Sequence, residues 1–171
     1  MTAEHDRLSV HPIRDDDREW VLHIVQRWGA DFIVSRGRTI YPSRIDGFFA
    51  TNNTGDRVGL VTFEIIGDQC EIVTLDAFIR FRGIGTQLLN AVVDHARDAG
   101  CRRVWLITTN DNVDALRFYQ KRGFVLVAVH RGAIDESRRI KPSIARIGEY
   151  GIPIRDEVEC ELVLAGEEPD Q

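Results

Sequence analysis

The amino-acid sequence predicts a mixed α/β fold, on the basis of two observations about its strand-like and helix-like segments. First, the segments "GFFAT", "RVGLVTFEIIG" and "CEIVTLDAFI" are mostly apolar, with many β-branched residues, and are joined by short turn-rich links, as in an antiparallel meander. Second, "RRVWLITT" and "FVLVAVHR" are further strand-like runs that alternate with segments of helical spacing. An antiparallel group followed by a β-α-β-α-β block indicates a sheet covered by helices.

The N-terminal region is predicted to add one strand and one helix. "LSVHPI" alternates like a short strand, and "DDDREWVLHIVQRW" carries acids in its first turn and apolar residues at helical spacing. In the next stretch, "GADFIVSRGRTIYPSRID", Gly37 and Pro42 interrupt any period, so we expect a loop with short regular pieces.

Two helices and a last strand are predicted in the second half. One helix follows Gly83 and ends near Ala99, and "NVDALRFYQKR" forms another that is ended by Gly123. The segment "DEVECELVL" alternates charged and apolar residues, which indicates a strand with one solvent-exposed face.

Composition is that of an ordinary globular protein and predicts one domain over residues 1–171, with 43% hydrophobic and 29% charged residues. A net charge of −5 argues against a nucleic-acid partner. No apolar run reaches the ~18 residues that span a membrane, so we expect a cytoplasmic protein with no membrane partner. The three cysteines and five histidines lack metal-ligand spacing, so we expect no metal and buried, free thiols.

A glycine-rich stretch, "IRFRGIGTQLL", separates a predicted strand from a predicted helix. Such a turn points backbone N–H groups at one spot and favours an anion there. It is not a P-loop, which needs Gly-x-x-x-x-Gly-Lys-Ser/Thr. As a dinucleotide fingerprint it is weak, because Leu88 stands where the third glycine belongs. The remaining pattern is Arg/Gln-x-x-Gly-x-Gly/Ala, filled by Arg80, Gly83 and Gly85, and the alternative is a turn that only joins strand to helix.

That pattern resembles the pyrophosphate loop of the GNAT superfamily of acyl-CoA-dependent N-acyltransferases. A second segment, "NVDALRFYQKRGF", is similar to the family's Asn-x-x-Ala-x-x-Phe-Tyr-x-x-x-Gly-Phe. The resemblance covers residues 57–131 as an acyl-CoA-binding core. It implies a GNAT-like mixed, mostly antiparallel central sheet with a V-shaped splay between the fourth and fifth core strands, flanked by helices. Acetyl-CoA is the implied cosubstrate and would lie in the splay.

The resemblance also implies which residues hold acetyl-CoA. The pantetheine would pair with the backbone near Phe78, and the pyrophosphate would accept N–H bonds from the glycine turn, where the lack of a Cβ atom allows close approach. The chain departs from many members in the short stretch from Leu75 to Arg80, which leaves open which of residues 76–79 make the backbone contacts. Arg80 and Arg82 are equally compatible with a solvated surface position, and Asn112 is also compatible with a helix N-cap role. The implied residues are Ala77, Phe78, Ile79, Arg80, Arg82, Gly83, Ile84, Gly85, Thr86, Asn112 and Phe118.

Acetyl transfer to an amine needs a base for the ammonium and an acid for the departing thiolate. Tyr119 occupies the family's tyrosine position, and a phenol, with an ordinary pKa of about 10, suits the acid role; the alternative is a packing role. Glu71 resembles the strand glutamate that acts as base in the histone-acetylating branch. Asp76 and Glu64 are alternatives, and a regular strand places Glu71 and Asp76 on opposite faces unless a bulge intervenes.

The acceptor side is expected in segments 26–45 and 132–158. The second segment is long for a strand connection, which is typical of a lid and favours a small primary amine as acceptor. Its part "GIPIRDEVE" is a candidate dimer-forming edge, so a homodimer is possible. The alternatives are a non-catalytic acyl-CoA-binding regulatory module and a protein or peptide N-acetyltransferase. The charged residues of the two segments favour different acceptors. Four arginines favour a carboxylate-bearing acceptor: Arg138, Arg139, Arg146 and Arg155. Four acids favour an amine: Asp31, Asp135, Glu136 and Glu149.

Overall fold

The structure, a computed structural model, describes residues 7–79 and 82–164. No helix in these residues has the length and apolar character needed to cross a bilayer. The elements in chain order are β1 (Ser9–Pro12), α1 (Arg18–Gln26), β2 (Ile33–Ser35), β3 (Arg38–Ile40), β4 (Asp46–Thr51), β5 (Arg57–Ile66), β6 (Gln69–Ala77), α2 (Ile84–Asp98), β7 (Arg103–Thr109), α3 (Val113–Gln120), β8 (Val125–His130), α4 (Ala133–Ile140) and β9 (Glu157–Val163).

Seven strands form the main sheet in the order β1-β4-β5-β6-β7-β9-β8, and β2 and β3 form a separate hairpin. Every neighbouring pair in the main sheet is antiparallel except β6 and β7, which are parallel. The predicted mixed, mostly antiparallel sheet with flanking helices is therefore confirmed.

Helices cover both faces of the sheet because each presents one apolar stripe. α2 buries Leu88, Val92 and Ala96 at helical spacing against the strands. α1 covers the opposite face, where Val21 and Val25 pack on the strands. The two faces are named below after α2 and α1.

The β6–β7 ladder is short and opens into a splay. Its pairs run from Gln69 and Arg103 to Ile72 and Leu106, yet β6 continues to Ala77 and β7 to Thr109. These are the fourth and fifth strands of the sheet, so the splay lies where the resemblance places it.

A β-bulge in β6 changes the direction of its side chains. Thr62 pairs with Thr74 while the next residue, Phe63, pairs with Ile72, so Val73 is an extra residue on β6. The bulge reverses the alternation beyond it, and Glu71 and Asp76 both point to the α1 face. A regular strand would have placed them on opposite faces.

The first acceptor-side segment has the short regular pieces that were expected, and the second contains a helix that was not predicted. The hairpin of β2 and β3 lies within residues 26–45. The long connection before β9 contains α4, and Arg138 fastens the chain that follows by donating to the carbonyl oxygens of Ala145 and Ile154, each at 2.8 Å. The connection is as long as the sequence indicated, and it is ordered by α4, which contacts β2, and by the bonds from the half-buried Arg138.

The last strand is not a free edge. β9 lies between β7 and β8 and is hydrogen-bonded on both sides. The suggestion that the segment leading into it forms a dimer edge is therefore wrong for β9, and the edge of the sheet at this end is β8.

Candidate active site

A glycine turn places the N-terminus of α2 at the mouth of the splay. Gly83 has φ 72° and ψ 8°, a left-handed conformation that glycine adopts without a Cβ clash. α2 begins at Ile84, and the first hydrogen bond back to the turn runs from Gln87 N–H to the Gly83 oxygen at 3.1 Å. The N–H groups of Ile84, Gly85 and Thr86 come before that bond, and a glycine N-cap has no side chain to accept from them. No acceptor for them is present in residues 7–79 and 82–164, so with respect to this part of the chain they are available to an anion.

A close approach between helix and strand fixes this turn. A Cβ atom at Gly59 of β5 would lie 2.5 Å from Ile84 Cγ2 and 2.9 Å from Leu88 Cδ1. Only glycine leaves room for the first turn of α2 to lie against the strand. The sheet therefore sets the position of the N–H groups at the start of α2.

A cavity of about 460 Å³, called here the glycine-loop cavity, lies between this turn and α3. Its wall includes nine of the residues predicted to hold acetyl-CoA: Ala77, Ile79, Arg82, Gly83, Ile84, Gly85, Thr86, Asn112 and Phe118.

Two residues of the predicted set stand apart. Phe78 turns to the α1 face, where its ring lies 6.2 Å from that of Trp20, and its backbone N–H donates to the Val58 oxygen at 2.9 Å. Neighbouring residues of an extended chain point to opposite sides, so Ala77 and Ile79 line the cavity while Phe78 does not. Arg80 lies outside the described residues.

Three cations on or just after α3 also line the cavity, and sequence analysis missed them: Arg117, Lys121 and Arg122. Arg122 donates to Thr86 Oγ1 at 2.7 Å from Nη2 and to the Phe118 oxygen at 2.8 Å from Nη1. Its guanidinium carbon lies 3.7 Å from the centre of the Phe118 ring. The second motif contained a signal for two of these cations. Arg117 and Lys121 are four residues apart, so in a helix they lie on the same face.

Asn112 has a structural role at the start of α3. Its Oδ1 accepts from the Ala115 N–H at 3.2 Å, which is an N-cap bond, while the residue also lines the cavity. The two roles considered for Asn112 are thus compatible.

Tyr119 lies below the splay rather than on the cavity wall described above. It is 7% exposed, with its ring 5.1 Å from Phe118 and 5.3 Å from Phe124. It also lies near Cys160, which pairs with Leu106, the last residue of β7 in the β6–β7 ladder. Burial, and to a smaller extent Cys160, raises the pKa of Tyr119 above its ordinary value, so the phenol keeps its proton.

Glu71 is buried under the β2–β3 hairpin, one residue before the ladder ends. It is 2% exposed; Ser35 Oγ donates to Oε1 at 2.6 Å and Arg38 Nη2 donates to Oε2 at 2.5 Å. Burial raises the pKa of Glu71, while the bonds from Ser35 and Arg38 oppose that shift. Arg38 also pairs with Glu64 at 2.7 Å, so one guanidinium bridges two of the three candidate bases.

The third candidate, Asp76, lies further along β6, on the splayed part of the strand. Burial raises its pKa, and Arg27 opposes that shift. The bulge places it on the same face as Glu71, three residues beyond Val73.

The family follows from this architecture. A mixed sheet that splays between parallel strands, with an uncapped helix N-terminus at the opening, is the arrangement the resemblance implied for an acetyltransferase. The model of the "Acetyltransferase (GNAT) family" matches residues 13–124. The chain therefore belongs to the GNAT acetyltransferase family, and the predicted fold and enzyme class are confirmed.

The chain is similar to proteins of two organisms, and one of these proteins is called an N-acetyltransferase. The Bacillus subtilis proteins YdhI and YxbD are 44% and 38% identical to the chain over 133 residues, which is 78% of this chain and 83% and 84% of theirs. The N-acetyltransferase MJ1207 of Methanocaldococcus jannaschii is 32% identical over 105 residues, 56% of this chain and 46% of its own.

Solved structures share the fold. An IAA acetyltransferase from Bacillus cereus has a TM-score of 0.72 at 20% identity and covers 92% of this chain and 100% of its own. A GNAT family acetyltransferase from Elizabethkingia anophelis with acetyl-CoA bound has a TM-score of 0.67 at 18% identity, with 93% and 99% covered. The ribosomal-protein-S18-alanine N-acetyltransferase of Escherichia coli has a TM-score of 0.65 at 16% identity, with 96% and 100% covered.

Proposed function

We propose that the protein moves an acetyl group from acetyl-CoA to a primary amine of a small acceptor by direct attack, as a single domain. The observation that carries this proposal is the uncapped N-terminus of α2 in the wall of the glycine-loop cavity, at the opening of the splay. The cavity suits an anionic ligand, because N–H groups and three cations outnumber two acids in its wall, namely Arg117, Lys121 and Arg122 against Asp114 and Glu149. A neighbour with acetyl-CoA bound supports the same donor.

The proposed cofactor contacts divide by chemistry. The N–H groups of Ile84, Gly85 and Thr86 hold the pyrophosphate, and the backbone of Ala77 and Ile79 pairs with the pantetheine. Arg82, Phe118 and Asn112 complete the wall, and we add Arg122 for charge. When bound, acetyl-CoA supplies the activated thioester carbonyl.

Tyr119 and Glu71 are the proposed acid and base. Tyr119 is assigned the acid role from its motif position: its phenol is protonated and would give that proton to the thiolate as negative charge forms on the sulfur. Burial raises the pKa of Tyr119 and so weakens it as an acid, which means that the transfer needs a thiolate made more basic by the same desolvation. Burial also raises the pKa of Glu71, which makes its carboxylate a stronger base for the ammonium, directly or through water. The bonds from Ser35 and Arg38 hold the Glu71 carboxylate in place on the α1 face.

A small acceptor is favoured over a peptide by the covered α1 face. The hairpin and α4 lie over it, and Arg138 fastens the connection to α4. The structural neighbours do not distinguish a small acceptor from a peptide, since they include an IAA acetyltransferase and a ribosomal-protein-S18-alanine N-acetyltransferase. A non-catalytic acyl-CoA-binding module would retain the glycine-loop cavity and lack turnover.

Two further parts of the proposal concern assembly and location. The edge strand β8 exposes Val125, Leu126 and Val129, which supports a homodimer through that edge. Three buried free cysteines suit a reducing compartment, which supports a cytoplasmic enzyme.

Calorimetry with acetyl-CoA, followed by a thiol-release assay with a panel of amines, tests the proposed function. Donor binding and amine-dependent thiol release are the expected results. Donor binding with no release for any amine or peptide would favour the regulatory module, and absence of donor binding would overturn the proposal.

A further inference from the structure

A second cavity, about 280 Å³, lies on the α1 face beside the splayed end of β7 and is called here the β7-end cavity. Its walls come from β2, β7, α4 and the connection into β9. Ile107 lines it, and Ile107 is the first residue of β7 beyond the last β6–β7 pair. The cavity therefore begins where the splay opens, on the side of the sheet away from the α2 N-terminus.

The wall of this cavity includes a buried carboxylate, that of Glu157, and one of its two oxygens has no hydrogen-bond donor among residues 7–79 and 82–164. Glu157 is 2% exposed, and its Oε1 accepts from Ser137 Oγ at 3.3 Å. Its Oε2 accepts no hydrogen bond from residues 7–79 or 82–164, and Arg36 Nη1 is 4.0 Å away. A buried carboxylate that lacks a full set of donors is costly, so a cationic ligand group beside the Glu157 carboxylate would be stabilised.

A cation lines the same cavity. Lys141, at the end of α4, donates from Nζ to the Phe32 oxygen at 3.4 Å and makes no ion pair within the described parts of the chain. Partial burial lowers its pKa. The remaining wall is largely apolar, with Ile107, Ile134 and Ile154. One anion and one cation thus face an apolar space slightly below the range of about 300–1,000 Å³ typical of small-molecule sites.

We propose that the β7-end cavity is the acceptor site and takes a small amino acid with a branched apolar side chain. The ammonium group pairs with the Glu157 carboxylate, the carboxylate of the amino acid accepts from Lys141 Nζ, and the side chain packs on the isoleucines. This assignment rests on the proposed function, because it names the acceptor of that transfer. Glu157 and Lys141 act here as acceptor-binding residues.

The test compares amino acids with their amides, which keep the amine and lack the carboxylate. The probes are L-valine, L-leucine, L-isoleucine and their amides, with initial rates measured by thiol release from acetyl-CoA. Wild type should prefer the amino acids. Glu157→Gln should raise KM for both series by about tenfold or more, and Lys141→Met should remove most of the preference for the carboxylate.

Controls separate a local effect from misfolding and from failure of the proposed function. Glu161→Gln makes the same change on the same strand, where the side chain pairs with Arg103 at 2.7 Å, and should leave KM unchanged. Ile154→Trp, at a half-buried wall position, should block the cavity without removing a charge. Thermal melts check folding, and calorimetry should show unchanged acetyl-CoA binding in every variant.

The contrary results are distinct. Equal use of amides and amino acids, preference for a peptide, an unchanged KM in Glu157→Gln, or no binding of any of the six probes would each overturn the acceptor assignment. Absence of acetyl-CoA binding would instead overturn the proposed function, and calorimetry of L-leucine without a donor would still test the β7-end cavity.

Discussion

Replacing Gly85 with glutamate tests whether the N-terminus of α2 binds phosphate. A Cβ atom at Gly85 would lie 3.3 Å from the Phe118 ring, in the wall of the glycine-loop cavity, so the new carboxylate would enter the region of the N–H groups. At about 5 Å and an effective dielectric constant of about 20, two like unit charges repel by about 3 kcal/mol. We therefore expect calorimetry to show roughly 100-fold weaker acetyl-CoA binding.

Gly85→Gln is the matched control, because glutamine has the size of glutamate and no charge. Any steric effect against Phe118 is common to both variants, so the difference between their dissociation constants isolates the charge. That difference should shrink between low and high salt, as expected for a partly exposed electrostatic effect. Equal weakening by Gln and Glu in folded protein, at all salt concentrations, would refute the phosphate-binding argument.

The other predictions concern the rest of the site. Arg122→Met should weaken acetyl-CoA binding by about tenfold in calorimetry, because the guanidinium that bonds Thr86 is lost; unchanged binding would remove Arg122 from the site. Tyr119→Phe should lower kcat by about 100-fold or more while the donor dissociation constant stays constant, and an undiminished kcat would exclude the acid role. Glu71 must be deprotonated to act as the base, and its pKa is raised. The kcat/KM of the wild type should therefore begin to fall, as the pH is lowered, before the pH reaches the ordinary glutamate pKa of about 4.3. Glu71→Gln should abolish that pH dependence. If the variant still loses activity as the pH falls, the titrating base is another residue. A thermal melt must accompany the measurement, because losing the ion pair with Arg38 destabilises the fold.

The donor side was readable from sequence because its features are local. The left-handed Gly83, the helix that begins at Ile84 and the Asn112 cap each depend on residues within one or two turns of chain. The apolar periods also fixed most strands and helices, since burial of one face follows a repeat of two or 3.6 residues. The same periods suggested a β-α-β-α-β block and gave no sign that β9 enters between β7 and β8.

The acceptor side depends on pairings between distant parts of the chain. The unpaired residue Val73 puts Glu71 and Asp76 on one face, and only the β5–β6 register shows it. Glu157 lies 16 positions from Lys141 in sequence, and neither belongs to a motif; they line one cavity because β9 enters the sheet beside β7 and α4 folds over that face. The sequence by itself determined the family, the glycine turn and most of the elements, because those follow from local backbone preference and periodic burial. Only the tertiary structure decided which charged groups share a cavity, because strand insertion and bulges are set by long-range packing that no short stretch of chain encodes.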